Sequence, residues 1–124
     1  MMTTQEVADR YYDLAQKGQL GQIQDELYSP DAVSVEPENY SQLPLRVEGL
    51  AAMRQKEQQF YQLFDEMHGG SCGEPVVSGS YFSCAQSMDV TMKGQQRKIK
   101  EQLGVFEVVD GKITTEQFFY KDTH

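Results

Sequence analysis

Apolar residues recur every three or four positions through the first part of the chain and every second position through the last part. That change of period sets the expected architecture. Val7, Ala8, Tyr11 and Ala15 fall on one helical face. Thr3-Thr4-Gln5-Glu6 ahead of them is a capping-box pattern, in which Thr3 and Glu6 satisfy each other's orphan amides. Gly18 stops this first helix. Leu20, Ile23 and Leu27 predict a short second helix, ended by Ser29-Pro30 because proline cannot continue the ladder. Residues 32–36 alternate weakly and predict a first strand, and 37–44 a loop. A third helix is expected from Glu48-Gly49 to about Met67. Its stripe is Leu50, Met53, Glu57, Phe60, Phe64 and Met67, and His68-Gly69-Gly70 stops it.

Beyond that point every signal is extended. Val76-Val77, a turn at Ser78-Gly79-Ser80 and a strand over 81–92 form a hairpin. In that strand Phe82, Cys84, Gln86, Met88, Val90 and Met92 share one face, and the mostly polar odd positions share the other. Lys93-Gly94 turns the chain, and the next strand runs to Val109. Asp110-Gly111 is a two-residue hairpin turn, and 113–121 is the last strand. The order is α-α-β-α-β-β-β-β, an α+β class. Long hairpin strands twist, so the sheet curls over a long amphipathic helix as a cone with an open end, which is a natural pocket.

Length and composition leave this picture intact. The 124 residues are the size of one domain, 1–124, and 39% hydrophobic against 24% charged is a globular balance. The net charge of −8 argues against nucleic acid or anionic membrane as a partner. The basic run Arg97-Lys98-Ile99-Lys100 is short and reads as a solvated strand face. No stretch has the length of a membrane span. The first residues carry neither a basic nor an apolar signal region, so cytoplasm is the expected location. Cys72 and Cys84 are expected as free thiols, and they can pair only if the hairpin between them centres near Ser78. Two histidines, His68 and the terminal His124, do not supply a zinc site. There is no phosphate loop, metal cluster or nucleophile elbow, so no cofactor is expected.

Five local patterns in this order carry a family resemblance. They are Arg10-Tyr11 in the first helix; Ser34-Val35-Glu36-Pro37 after Pro30-Asp31-Ala32; Gly49-Leu50-Ala51-Ala52-Met53-Arg54; Val105-Phe106-Glu107-Val108 before Asp110-Gly111-Lys112-Ile113; and Phe118-Phe119-Tyr120. Together they resemble the NTF2-like superfamily with its cystatin-like cone, in the SnoaL-like and ketosteroid-isomerase-like branch, over almost the whole chain. In the isomerase relatives a carboxylate base sits after the first strand, while a tyrosine and a strand acid hold the oxyanion. The resemblance puts the tyrosine at Tyr11. It puts the base at Pro37, the strand acid at Gly104 with Gln102 two residues earlier, and a last-strand aspartate near Phe118. These expected acids are therefore neutral here.

Other residues are left to carry any chemistry. Glu57 interrupts an apolar stripe, where it either faces the cavity with a raised pKa or reaches solvent. Glu36 lines the mouth or accepts loop amides. Glu116 shares a face with Phe118 and Tyr120, taken as inward; a flipped register turns all three outward. His68 is either a helix cap or a base at one end of the pocket. Candidate catalytic groups are Glu57, Glu36 and Tyr11. Candidate ligand contacts are Met53, Phe60, Phe64, His68, Phe82, Met88, Phe106, Glu116, Phe118 and Tyr120. Three functions stay open: a binder of a small hydrophobic molecule in a mainly apolar pocket; an acid–base enzyme (isomerase, dehydratase or hydrolase) using the glutamates; or an interaction domain that homodimerises through Tyr81, Val105 and Phe119 on the outer sheet face.

Overall fold

The capping box forms as the sequence predicts. The Glu6 amide donates to Thr3 Oγ1 at 3.1 Å, and the Thr3 amide donates to the Glu6 carboxylate at 3.0 Å. These bonds start α1 (Thr4–Gln16), which buries Val7, Ala8, Tyr11 and Leu14. The structure, a computed structural model, describes residues 1–122; His124 lies outside them. α2 (Leu20–Leu27) buries Ile23, Gln24 and Leu27. Leu20, expected on its inner face, is 52% exposed at the first position of the helix.

The remaining elements are β1 (Tyr28–Val35), β2 (Arg46–Glu48), α3 (Leu50–Tyr61), β3 (Phe64–Cys72), β4 (Val76–Ser78), β5 (Tyr81–Met92), β6 (Lys98–Val109) and β7 (Lys112–Phe119). They form one curved seven-stranded sheet in the order β2-β1-β7-β6-β5-β3, with β4 also paired to β5. The expected α+β class and cystatin-like architecture hold. One pairing is parallel, β1 with β7, and it brings Ser34 beside Glu116. The tight β6–β7 turn needs positive φ at both central residues; Asp110 takes +51° and Gly111 +75°.

Two features differ from the sequence reading. β2 lies beyond the expected loop, where Arg46–Glu48 pairs with β1. The third helix stops at Tyr61 instead of Met67. Phe64 and Met67 have helical spacing, but the chain from Phe64 to Cys72 zips along β5. Without that partner, β5 would show an open edge beyond its pairing with β4. The gain of a continuous ladder outweighs a weak local helix preference. Phe60, Tyr61 and Phe64 cluster at the junction with centroids 4.9 to 6.1 Å apart, Phe64 meeting both other rings edge to face. The helix that crosses the sheet is α1, which touches β3, β4, β5 and β6, while α3 sits at the β1–β2 edge.

Under α1 the core is aromatic. Phe82 and Phe106 stack at 4.7 Å, and Tyr11 packs on both rings at 5.5 and 4.8 Å. Each fully buried ring contributes roughly 1.5–3 kcal/mol of hydrophobic stabilisation.

Candidate functional site

The concave side of the sheet, α1, α2, α3 and the 36–43 loop enclose a cavity of about 860 Å³. Tyr11, Glu36 and Glu57 all line it, as do Met53, Phe60, Met88, Glu116, Phe118 and Tyr120. Four expected contacts do not. Phe82 and Phe106 are 1% and 0% exposed and form the floor beneath α1. Phe64 and His68 lie on β3, the segment expected to be helix; Met67 and residues 69–72 of that strand line the cavity, and these two do not. His68 caps no helix; its Nε2 bonds Thr91 Oγ1 on β5 at 2.8 Å. The wall is also more polar than expected, with Gln24, Ser34, Gln86 and Gln102 facing the space.

Glu116 is the central group. It sits on β7 facing inward, 8% exposed. Tyr28 donates its phenol to Oε1, and Ser34 donates to Oε2 at 2.7 Å. No cation bonds it among the described residues. Burial pushes its carboxyl up to about 7; the two donors hold it down only in part, and the charges of Glu57 and Glu36 push it further up. A carboxyl poised there exists in both protonation states at neutral pH. Tyr28 and Ser34 were not anticipated from sequence. Tyr28 opens β1 straight out of α2, two residues before Pro30, so nothing local marks it as inward.

Glu57 faces the cavity from α3 and accepts a 2.6 Å bond from the Gln24 amide. Gln24 in turn accepts from Arg54 Nε at 3.1 Å. Burial raises the Glu57 carboxyl above its ordinary value, against the Gln24 bond and the Arg54 and Lys56 charges. Glu36 is engaged differently: Lys56 pairs with one oxygen, and the Tyr120 hydroxyl donates to the other at 3.2 Å. Both of its oxygens are therefore already engaged.

A side-chain chain runs across the opposite wall. Gln102 Nε2 donates to Gln86 Oε1 at 2.9 Å, and Gln86 Nε2 donates to the Tyr11 hydroxyl at 2.9 Å. The Tyr11 oxygen is thus an acceptor in that bond, and its own proton has no acceptor among the described residues. That proton is available to an oxygen entering the cavity. Burial drives the Tyr11 pKa well up, so it stays a neutral donor. Gln86 was legible as a polar break in the apolar face of β5.

The neutral position on β6 has a steric cause. A Cβ at Gly104 would stand 3.0 Å from two ring carbons of Phe106 and 3.3 Å from Phe118. The edge-to-face contact of Phe106 and Phe118, with centroids 6.3 Å apart, fills the space in which an acid would project.

The SnoaL-like domain family matches residues 2–120. A candidate SnoaL-like polyketide cyclase from Mesorhizobium loti has a solved structure 32% identical to this chain. It covers 96% of this chain and 100% of its own, with a TM-score of 0.87. An NTF2-like protein of unknown function from Burkholderia pseudomallei is 15% identical, covering 98% and 92%, with a TM-score of 0.76. A Catenulispora acidiphila protein with a ketosteroid-isomerase-like fold, solved with trimethylamine, is 14% identical, covering 96% and 88%, with a TM-score of 0.69. The last two speak for the fold alone. No curated protein matches the chain. No helix among the described residues is long and apolar enough to cross a membrane.

Proposed function

This chain belongs to the SnoaL-like domain family, and from that premise we propose that it binds a small lipophilic carbonyl compound in the cavity and moves a proton on it, with Glu116 as the acid–base group. The observation that carries this reading is a cation-free carboxyl, poised at about 7, in the wall of an 860 Å³ cavity. Ionised Glu116 takes a proton from carbon beside the carbonyl, and the electron pair moves onto the carbonyl oxygen. The free Tyr11 proton is the donor for that oxygen. Protonated Glu116 then returns the proton, to the same carbon or to a conjugated one. A carboxylate offers about four lone-pair directions, so the Tyr28 and Ser34 bonds leave room for the transferred proton.

The test is exchange in D2O. Conjugated ketones and cyclic β-diketones are incubated with the protein, and loss of their α-proton signals is followed by NMR. Catalysed exchange is expected with an inflection near pH 7. Glu116→Gln is expected to slow it about 100-fold or more. A panel bound by the protein but not exchanged would sink the catalytic part.

One observation favours a second reading, binding without chemistry. Both Glu116 oxygens already hold hydroxyls, which is also how a buried polar group is satisfied for structural reasons. Ligand-induced thermal stabilisation without exchange supports that reading. We also assign the convex face to pairing with a second copy of the chain. Tyr81, Leu103 and Phe119 are 49%, 43% and 48% exposed there, next to Val105.

A further inference from the structure

Beyond the carboxyls, the cavity holds a cluster that proton transfer at Glu116 does not use. Cys72 ends β3 and lines the cavity. It stands directly opposite Gln86 on β5, and Cys84 is the next residue on that face of β5. Cross-strand partners project to the same side. That register sets the Cys84 thiol and the Gln86 amide beside the Cys72 sulfur, whose own S–H points to the Gly73 carbonyl at 3.7 Å. The two thiols are free, but they are not equivalent: Cys84 is 1% exposed, and Cys72 is half-buried at the wall. Gln86 also bonds Tyr11, so the sulfur and the unfilled phenol proton belong to one end of the cavity.

We propose that Cys72 is a nucleophilic thiol that captures α,β-unsaturated carbonyl compounds entering the cavity, with Cys84 and Gln86 as donors to its sulfur and Tyr11 as donor to the carbonyl oxygen. The Cys72 thiol first gives its proton to water. Sulfur then forms a bond to the β-carbon, and the C=C π pair shifts toward the carbonyl, whose oxygen carries the charge against Tyr11. A proton from water closes the α-carbon. The sum is thiol plus enone to thioether, with no oxidant and no other product. A soft sulfur suits a conjugated carbon, and Met53, Met88 and Phe60 along the wall suit a lipophilic body. The donors favour the thiolate, and they hold the Cys72 pKa below that of an ordinary thiol. The same contact, with burial, drives the Cys84 pKa far up, so Cys84 stays a protonated donor.

The proposal shares the cavity with the acid–base reading, but its readout is mass and not proton exchange, so the two can fail separately. N-ethylmaleimide, a small conjugated dicarbonyl, is added to the folded full-length chain at pH 7, and the product is read by intact mass and peptide mapping. One adduct is expected, on Cys72, formed about tenfold faster than on glutathione. Cys72→Ser takes no adduct. Cys84→Ala slows labelling several-fold, while Cys84→Ser, which keeps a donor, labels faster than the alanine variant. Iodoacetamide, whose substitution reaction involves no conjugate addition, gives the comparison for Tyr11. In Tyr11→Phe the ratio of maleimide to iodoacetamide rates is expected to fall several-fold. Labelling no faster than glutathione, adducts shared equally between the thiols, or an unchanged ratio in Tyr11→Phe would overturn the proposal.

Discussion

Tyr28 and Glu116 meet across the one parallel strand pairing in the sheet, the phenol donating to a carboxylate 88 positions later in the chain. Ser34 completes the clamp from the same strand. Two neutral donors satisfy the carboxylate without cancelling its charge, and this is why burial can move its pKa so far.

A first expectation concerns stability against pH. The folded chain raises Glu116 from 4.5 to about 7, so it holds a proton that the unfolded chain releases earlier. Stability from this group is complete below about 4.5 and is lost as pH rises through about 7. Glu116→Gln should flatten that part of the profile and raise the unfolding free energy at pH 8 by at most roughly 3 kcal/mol. Urea titrations at pH 4.5 and 8 check it. A variant that loses stability equally at both would contradict the assigned shift.

Glu57 supplies a second handle. Its charge is one of the groups that push Glu116 upward. Glu57→Gln should therefore move the exchange inflection of the protein to lower pH. The pH–rate profile of ketone exchange reads this directly, and an upward shift would remove Glu57 from the electrostatics of the site.

Gly104 gives a purely steric expectation. The Cβ of Gly104→Ala meets Phe106 at 3.0 Å. Overpacking of this kind costs about 1–3 kcal/mol, so the variant should melt several degrees lower. Restoring an acid at this position should be worse still, since its charge would be buried beside two rings. An unchanged melting temperature for Gly104→Ala would mean that the rings yield freely.

The convex face makes a fourth. Light scattering should report a dimer that Tyr81→Glu with Phe119→Glu converts to monomer. A monomeric parent chain would end that assignment.

The sequence carried the local devices well. The Thr3–Glu6 box, the Asp110-Gly111 turn and the inward face of β7 were all legible, because each is set by neighbouring residues. The long helix was overextended because Phe64 and Met67 fit two periods, and only the distant β5 decides between them. Phe82 and Phe106 were placed at the cavity because alternation gives a face without giving depth along it. The polar clamp on Glu116 escaped because Tyr28 and Ser34 reach it only through a parallel pairing, which no hairpin signal announces. Glu57 stood out as a break in the stripe of the third helix and lines the cavity, yet its partner Gln24 comes from α2 and was invisible in the stripe.

The separation of Glu116 from its two donors, 88 and 82 residues, has a consequence in time. Contacts between distant residues form late, since their loop must be closed before they are rewarded. The β1–β7 seam joins the early part of the chain to its last strand, so intermediates that have folded only the central hairpins contain no assembled acid. A chain caught part-way, or one whose final strand has come loose, carries an ordinary solvated glutamate in place of a poised one. The proposed proton exchange would then switch on with the closing of that seam, and its appearance during refolding would serve as a clock for the last step.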